Sequence, residues 1–199
     1  PPPPLRRQRQ MCIRDRPENA VDANRETAIE TAEDATATEE TVQPLLSPNG
    51  SAATAAAISP DGKRLAVSGT FEGRPAILVR DLATGELIAT LTGHLDQITS
   101  MSFAADNRRL ISGSADQTAR VWDLADEKFP EVISFGGHAA TISGVAFNSN
   151  GTQAATCAAD NSVQLWNTTT GEVVQTFAGH TAAVVGVAIT PNNAQVITA

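Results

Sequence analysis

Residues 93–123 read GHLDQITSMSFAADNRRLISGSADQTARVWD, and residues 137–167 read GHAATISGVAFNSNGTQAATCAADNSVQLWN. In both stretches a His at the second position lies 28 residues before a Trp at the penultimate position. A further Gly-His pair opens residues 179–199, so the pairs begin 44 and then 42 residues apart. Two landmarks held at one spacing in two places indicate an internal repeat, and such a repeat predicts the architecture of the whole region.

Each repeat divides into short runs of β-prone residues between turns rich in Asp, Asn and Gly. The pattern therefore predicts four short antiparallel strands in each repeat. The runs are Ile98–Phe103, Leu110–Gly113, Thr118–Trp122 and Val132–Phe135 in the first stretch, and Ile142–Phe147, Gln153–Cys157, Ser162–Trp166 and Val173–Phe177 in the second.

An earlier stretch follows the same pattern less closely. Ile58–Gly69 reads ISPDGKRLAVSG and matches the middle of a repeat, and Arg80 lies where the later repeats have Trp. Asn49 stands where they have His. Thr70–Pro75 predicts a longer turn than the later repeats contain. This unit is expected to keep the strands but to lack the His and Trp landmarks.

Four strands per unit, together with Gly-His and Trp-Asp landmarks, resemble the WD-repeat β-propeller family from about Leu45 to Ala199. The resemblance implies an all-β fold, a partial propeller of about three and a half four-stranded blades. The expected blades cover residues 45–92, 93–136, 137–178 and a truncated 179–199. It also implies that the remaining blades belong to the rest of the protein's own full-length chain.

The repeated His, Ser or Thr, and Asp residues at first suggest a Ser-His-Asp hydrolase. A catalytic triad occurs once, beside one oxyanion hole, whereas this set recurs in each repeat. The family resemblance implies instead a structural network in which the Trp indole bonds the hydroxyl, the hydroxyl bonds the His, and the His bonds the Asp. Its expected members are His94, Ser112, Asp116, Trp122, His138, Thr156, Asp160, Trp166 and His180.

The sequence offers no other catalytic, metal or cofactor site. The three His residues lie about one blade apart, and the two cysteines, Cys12 and Cys157, are too few for a zinc site or a disulfide framework. A Gly-rich phosphate loop is absent. We therefore expect no catalytic residues, no metal and no cofactor.

The resemblance places the functional surface on the loops near the Gly-His pairs and the turn Asp. The candidate binding-face residues are Asp96, Gln97, Gln117, Asn161 and Thr181. The expected function is a scaffold that binds protein partners without catalysis of its own. The alternative is an accessory propeller domain of a larger bacterial multidomain enzyme or cytochrome-type protein whose catalytic part is missing.

The first 44 residues differ from the rest of the chain. Arg6–Arg16, RRQRQMCIRDR, resembles the translation of sequencing-adapter DNA, so residues 1–16 are interpreted as an artefact of a metagenomic fragment. Residues 17–44 hold eight acidic residues and one Arg, which predicts an acidic disordered linker.

Charge and hydropathy limit the classes of partner. Without residues 1–16 the chain has nine basic and 21 acidic residues, a net charge of −12, which disfavours nucleic acid as a partner. No apolar run approaches the ~18 residues of a membrane helix. Because the true N-terminus is expected to be missing, both cytoplasmic and periplasmic locations stay open.

Overall fold

The strands of the described residues form three four-stranded sheets and one two-stranded sheet. The computed structural model describes residues 53–126 and 128–199, and these residues contain fourteen strands and no helix. The all-β prediction is confirmed. The predicted artefact at residues 1–16 and the predicted acidic linker at residues 17–44 lie outside the described residues, so both stay predictions.

Each sheet is an antiparallel meander in which strands consecutive in sequence are neighbours. The first sheet contains β1 (Ala56–Ile58), β2 (Arg64–Phe71), β3 (Arg74–Asp81) and β4 (Leu87–Thr92). The second contains β5 (Ile98–Phe103), β6 (Arg109–Ser114), β7 (Ala119–Asp123) and β8 (Glu131–Phe135). The third contains β9 (Ile142–Phe147), β10 (Gln153–Ala158), β11 (Val163–Asn167) and β12 (Val173–Phe177), and the two-stranded fourth contains β13 (Val187–Ile189) and β14 (Val196–Thr198).

The strands predicted in the second and third sheets are observed with ends that differ by at most one residue. This agreement arises because turn residues mark the ends of the strands. Gly62, Asn107, Gly151 and Asn193 occupy matching turns, and all four have positive φ, between 57° and 69°. Gly and Asn tolerate this left-handed conformation better than other residues, so they favour a turn between the first and second strands of each sheet.

The first sheet differs from the prediction at one turn. β2 and β3 stay paired out to Phe71 and Arg74, and only Glu72 and Gly73 form the turn. Both turn residues have positive φ, 52° and 76°, as a two-residue type I′ turn requires. The predicted longer turn over Thr70–Pro75 is wrong, because the additional residues extend the two strands instead of forming a loop.

Neighbouring sheets bury apolar side chains between them. One core cluster lies between the first and second sheets and includes Ile77, Ile98 and Leu110. A second cluster joins the second and third sheets, and a third, smaller cluster around Cys157 and Val184 joins the third sheet to the fourth. Burial between consecutive sheets is what holds a stack of repeats together.

Hydroxyl groups add hydrogen bonds between sheets. Thr54 Oγ1 donates to the carbonyl oxygen of Ile98 at 2.6 Å. Thr99, 45 residues later, donates in the same way to the carbonyl oxygen of Ile142. The same donor therefore appears at equivalent positions in two successive sheet interfaces.

Candidate functional site

A chain of hydrogen bonds joins two strands and two connections of the second sheet. His94 precedes β5, Ser112 lies on β6, Asp116 lies in the β6–β7 turn and Trp122 lies on β7. His94 Nδ1 is 2.8 Å from Asp116 Oδ2, and His94 Nε2 is 2.8 Å from Ser112 Oγ. Trp122 Nε1 donates to Ser112 Oγ at 3.0 Å. The structure thus brings together all four residues expected in this repeat.

The proton positions in this chain follow from the partners. A carboxylate only accepts hydrogen bonds, so His94 Nδ1 carries the proton and Nε2 accepts from the Ser112 hydroxyl. The His94 ring is buried, and burial lowers its pKa more than the neighbouring Asp116 raises it. His94 is therefore a neutral ring with both nitrogens hydrogen-bonded.

Asp116 is held as a carboxylate. Burial acts to raise its pKa, but hydrogen bonds from the Thr118 hydroxyl, the Leu95 backbone N–H and His94 outweigh that effect. Together they lower the pKa of Asp116 to about 2. The Asp116 side chain consequently ties the turn to the loop that begins β5.

The third sheet repeats the first part of this chain. His138 Nδ1 is 3.1 Å from Asp160 Oδ2, and His138 Nε2 is 2.8 Å from Thr156 Oγ1. Burial acts to raise the pKa of Asp160, and hydrogen bonds led by that from the Ser162 hydroxyl lower it to about 2. The loop before β9 is thus tied to the β10–β11 turn.

Trp166 departs from the predicted network. Its indole Nε1 is buried and makes no hydrogen bond, so the expected bond to Thr156 is absent. The indole instead stacks on Phe135, with ring centroids 4.5 Å apart and planes 6° apart. The first sheet has the aliphatic Leu91, on β4, at the position equivalent to Phe135, so Trp122 has no such aromatic partner there. The prediction for Trp166 was wrong because an aromatic neighbour from β8 orients the indole.

Two residues near these chains were not identified from the sequence. Thr118 Oγ1 donates to Asp116 Oδ1 at 2.7 Å, and Ser162 Oγ donates to Asp160 Oδ1 at the same distance. Both hydroxyl residues lie 24 residues after the His of their repeat. That shared position was the signal that could have identified them.

The first and fourth sheets contain less of the pattern. His180 Nε2 is 2.8 Å from the hydroxyl of Thr198 in an exposed position, at the spacing of His94 and Ser112. In the first sheet Val67 takes the place of the hydroxyl residue, and Arg80 takes the place of Trp. Arg80 Nη1 donates to the carbonyl oxygen of Gly85, so this side chain bonds the β3–β4 turn and takes no part in a hydroxyl–His–Asp chain.

The candidate binding-face residues lie on the same loops and turns as the His–Asp pairs. Asp96, Gln97 and Gln117 are exposed on the second sheet, where the Ala115 N–H donates to the Gln97 carbonyl oxygen. Asn161 is half-buried in the matching turn of the third sheet, and Thr181 is exposed before the fourth. The loop and turn of one sheet are adjacent through backbone hydrogen bonds.

The described residues provide few groups for chemistry. Among them, no set of three or more His, Cys, Asp or Glu residues is arranged to hold a metal ion. Cys157 is a buried free thiol, and burial raises its pKa to about 11. Within the part of the chain that the structure describes, no helix is long and apolar enough to span a membrane.

Comparison with known proteins gives one family match. The model of the WD domain, G-beta repeat, matches residues 85–123, 129–167 and 171–199. The chain is 29% identical over 136 residues to the COMPASS component SWD3 of Saccharomyces cerevisiae, covering 68% of this chain and 41% of that protein.

Two further relatives are similar over shorter stretches. The chain is 37% identical over 105 residues to a bromodomain and WD repeat-containing protein of Dictyostelium discoideum, which is 49% of this chain and 5% of that protein. It is 33% identical over 105 residues to human WD repeat and SOCS box-containing protein 1, which is 52% of this chain and 24% of that protein. The chain spans less than half the length of each of these relatives.

Proposed function

Because the chain belongs to the WD-repeat family, we propose that it is a scaffold that binds protein partners and has no catalysis of its own. The observation that carries the proposal is the recurrence of the hydroxyl–His–Asp chain in two consecutive sheets, with its polar atoms bonded to one another. A unique active site would need one such set facing a substrate. A repeated, internally bonded set suits a structural role.

The environment of the candidate nucleophile supports this interpretation. Ser112 is fully buried, donates to His94 and accepts from Trp122. A substrate carbonyl carbon would have to approach this oxygen within the second sheet. The hydroxyl is therefore better suited to fixing the strands than to attacking a substrate.

The exposed loops provide the surface for a partner. Leu95 is 85% exposed directly after the buried His94. The His94–Asp116 pair therefore fixes the backbone of a loop that presents an apolar side chain to solvent. Loops fixed on a rigid scaffold are common binding surfaces. The alternative of an accessory module in a multidomain enzyme has no observation in its favour.

Site-specific photo-crosslinking tests the scaffold role. A photoreactive amino acid at Gln117 of the full chain is expected to form protein adducts in extracts of cells that carry the gene. The matched position is Thr84, exposed in the β3–β4 turn at the opposite end of the first sheet. Equal adducts at both positions, or none at either, would contradict the proposed binding face.

The structural role of the network has its own test. Asp116→Ala removes the acceptor for His94, Thr118 and the Leu95 N–H, and leaves the N–H of the buried His94 ring unpaired. We expect a loss of about 2 kcal/mol in the free energy of unfolding, measured by urea denaturation of the full chain. Asp96→Ala at the exposed loop is the control. An unchanged stability for Asp116→Ala would remove the structural assignment.

A further inference from the structure

The two complete sheet interfaces are packed differently at one equivalent position. In the interface between the second and third sheets this position is Gly113, where an added Cβ would lie 2.6 Å from Ile142 Cγ2. In the interface between the first and second sheets it is Ser68, opposite Ile98. The glycine leaves room for the Ile142 and Val145 side chains, whereas Ser68 has a side chain of its own at this position.

A cavity of about 240 Å³ lies at this first interface. Its lining includes Thr54, Ser68, Thr70, Pro75, Gln97 and Ile98. Ser68 and Ile98 are almost fully buried, so they form its floor, while Gln97 is exposed at its rim. The volume is below the ~300–1,000 Å³ of typical small-molecule sites, and it suits one inserted side chain.

The extended β2–β3 hairpin forms one wall of this cavity. Beyond the Ser68–Ile77 pair the strands continue for three more pairs and end at Phe71 and Arg74. Thr70 and Pro75 are paired and line the cavity. Adjacent residues of a strand point to opposite faces, so the Phe71–Arg74 pair faces away from the cavity.

An exposed acidic residue lies directly beside one of the lining residues. None of the described lining residues is ionisable. Asp96 precedes Gln97 in an exposed loop, and Glu72 is exposed at the tip of the hairpin. Arg74 lies on the opposite face of the hairpin. Asp96 is thus the acidic side chain next to a lining residue, and its carboxylate complements a cationic neighbour of the inserted group.

We propose that this cavity binds an extended segment of a protein partner, which inserts one bulky apolar side chain and places a Lys or Arg beside Asp96. The inference rests on the proposed scaffold function and names the chemistry of the partner. An apolar anchor in a pocket with charges at its rim is a common arrangement of an interface hot spot. The cavity lies where the first sheet has Ser68 and a longer hairpin, whereas the second sheet has Gly113 and a shorter hairpin.

A peptide selection on the full chain tests this inference. Random 12-residue displayed peptides are selected on the wild-type protein, and the affinity of the enriched peptide is measured by fluorescence anisotropy. Gln97→Trp closes the rim, and Asp96→Lys reverses its charge. The matched controls are Thr141→Trp, at the position equivalent to Gln97 in the third sheet, and Glu86→Lys, at the opposite end of β3.

We expect the enriched peptides to combine Leu, Phe or Trp with an adjacent Lys or Arg. Gln97→Trp and Asp96→Lys should each weaken binding at least about tenfold, and the controls should stay within about twofold. Peptides that bind Gln97→Trp as tightly as wild type would overturn the cavity assignment and leave the scaffold function standing. A selection that enriches no peptide would also overturn it, since the crosslinking at Gln117 tests the scaffold function separately.

Discussion

At the scale of single residues, the two Trp side chains occupy the same repeat position with different partners. Trp122 donates to Ser112, whereas the buried indole N–H of Trp166 has no acceptor. An unpaired buried donor lowers stability, because water could have bonded it in the unfolded chain. The stacking of Trp166 on Phe135 offsets part of that loss.

This difference predicts unequal effects of one substitution at two places. Trp122→Phe removes a hydrogen bond in addition to ring volume, whereas Trp166→Phe removes ring volume and an unpaired N–H. We expect Trp122→Phe to destabilise the chain by about 1–2 kcal/mol more than Trp166→Phe, as measured by urea denaturation. Equal losses for the two variants would show that the Ser112 bond contributes nothing.

The ionisable groups of the two His–Asp pairs predict how stability depends on pH. The pKa values of Asp116 and Asp160 are about 2 in the folded chain, below the ordinary value of 3.8. Folding therefore favours their charged forms, and the stability they add above pH 4 is lost as the pH falls toward 2. Burial lowers the pKa of His94 in the folded chain. As the pH falls below 6.5 this ring is therefore protonated more readily in the unfolded chain, and the folded chain loses stability.

We expect the free energy of unfolding of the full chain to fall steeply between pH 4 and pH 2, with a smaller decline starting below pH 6.5. The two carboxylates together should account for a few kcal/mol, at about 1.4 kcal/mol per pKa unit. Asp116→Asn should flatten the acidic part of the curve. The exposed Asp96→Asn variant serves as control, and identical curves for wild type and Asp116→Asn would refute the assignment.

At the scale of elements, the turns decide how far each hairpin extends. The β6–β7 connection turns after Ser114, and its Asp116 is committed to His94. The first sheet has no such His–Asp pair, and its hairpin continues to Glu72 and Gly73. Without a turn Asp that bonds a His, the β2–β3 hairpin of the first sheet is longer, and its Thr70 and Pro75 line the cavity.

The hairpin tip predicts a stabilising substitution. Glu72 has φ of 52°, a left-handed conformation that Asn adopts more readily than Glu. Asn-Gly is the preferred pair for a type I′ turn, so Glu72→Asn should raise the free energy of unfolding by about 0.5–1 kcal/mol. Thermal unfolding measures this change. Glu86→Asn, at a turn residue without positive φ, is the matched control. A stabilisation of equal size in both variants would rule out the conformational explanation.

At the scale of the whole molecule, the sequence repeat and the sheet do not coincide. The family match over residues 85–123 begins before β4 and ends with β7. Each repeat thus supplies the last strand of one sheet and the first three strands of the next. Each sheet is nevertheless a meander of consecutive strands, so neighbouring sheets are held together by the apolar surface that they bury and by hydrogen bonds such as that from Thr54 to Ile98.

Close approach of the second and third sheets predicts a further difference. Gly113→Ala would place a Cβ against Ile142 and Val145 in a packed interface, at a cost of about 1–3 kcal/mol. Gly136→Ala is the control, because no atom lies within 4 Å of the added Cβ. Thermal unfolding of both variants measures the difference. A Gly113→Ala chain as stable as Gly136→Ala would mean that the interface can open without cost.

Local chemistry determined much of this protein from its sequence alone. Alternating apolar residues and turn-forming Asp, Asn and Gly placed the strands of the second and third sheets within one residue. The resemblance to the WD-repeat family, which the repeated landmarks indicated, implied which His, hydroxyl and Asp side chains meet.

Contacts between distant segments decided the remaining features. The Trp166 indole stacks on Phe135 and makes no bond to Thr156, and a cavity lies beside Ser68 where the next interface has Gly113 packed against Ile142. These outcomes depend on which side chains meet across two strands or two sheets. A repeat pattern read along one chain does not contain those pairings, since tertiary packing sets them.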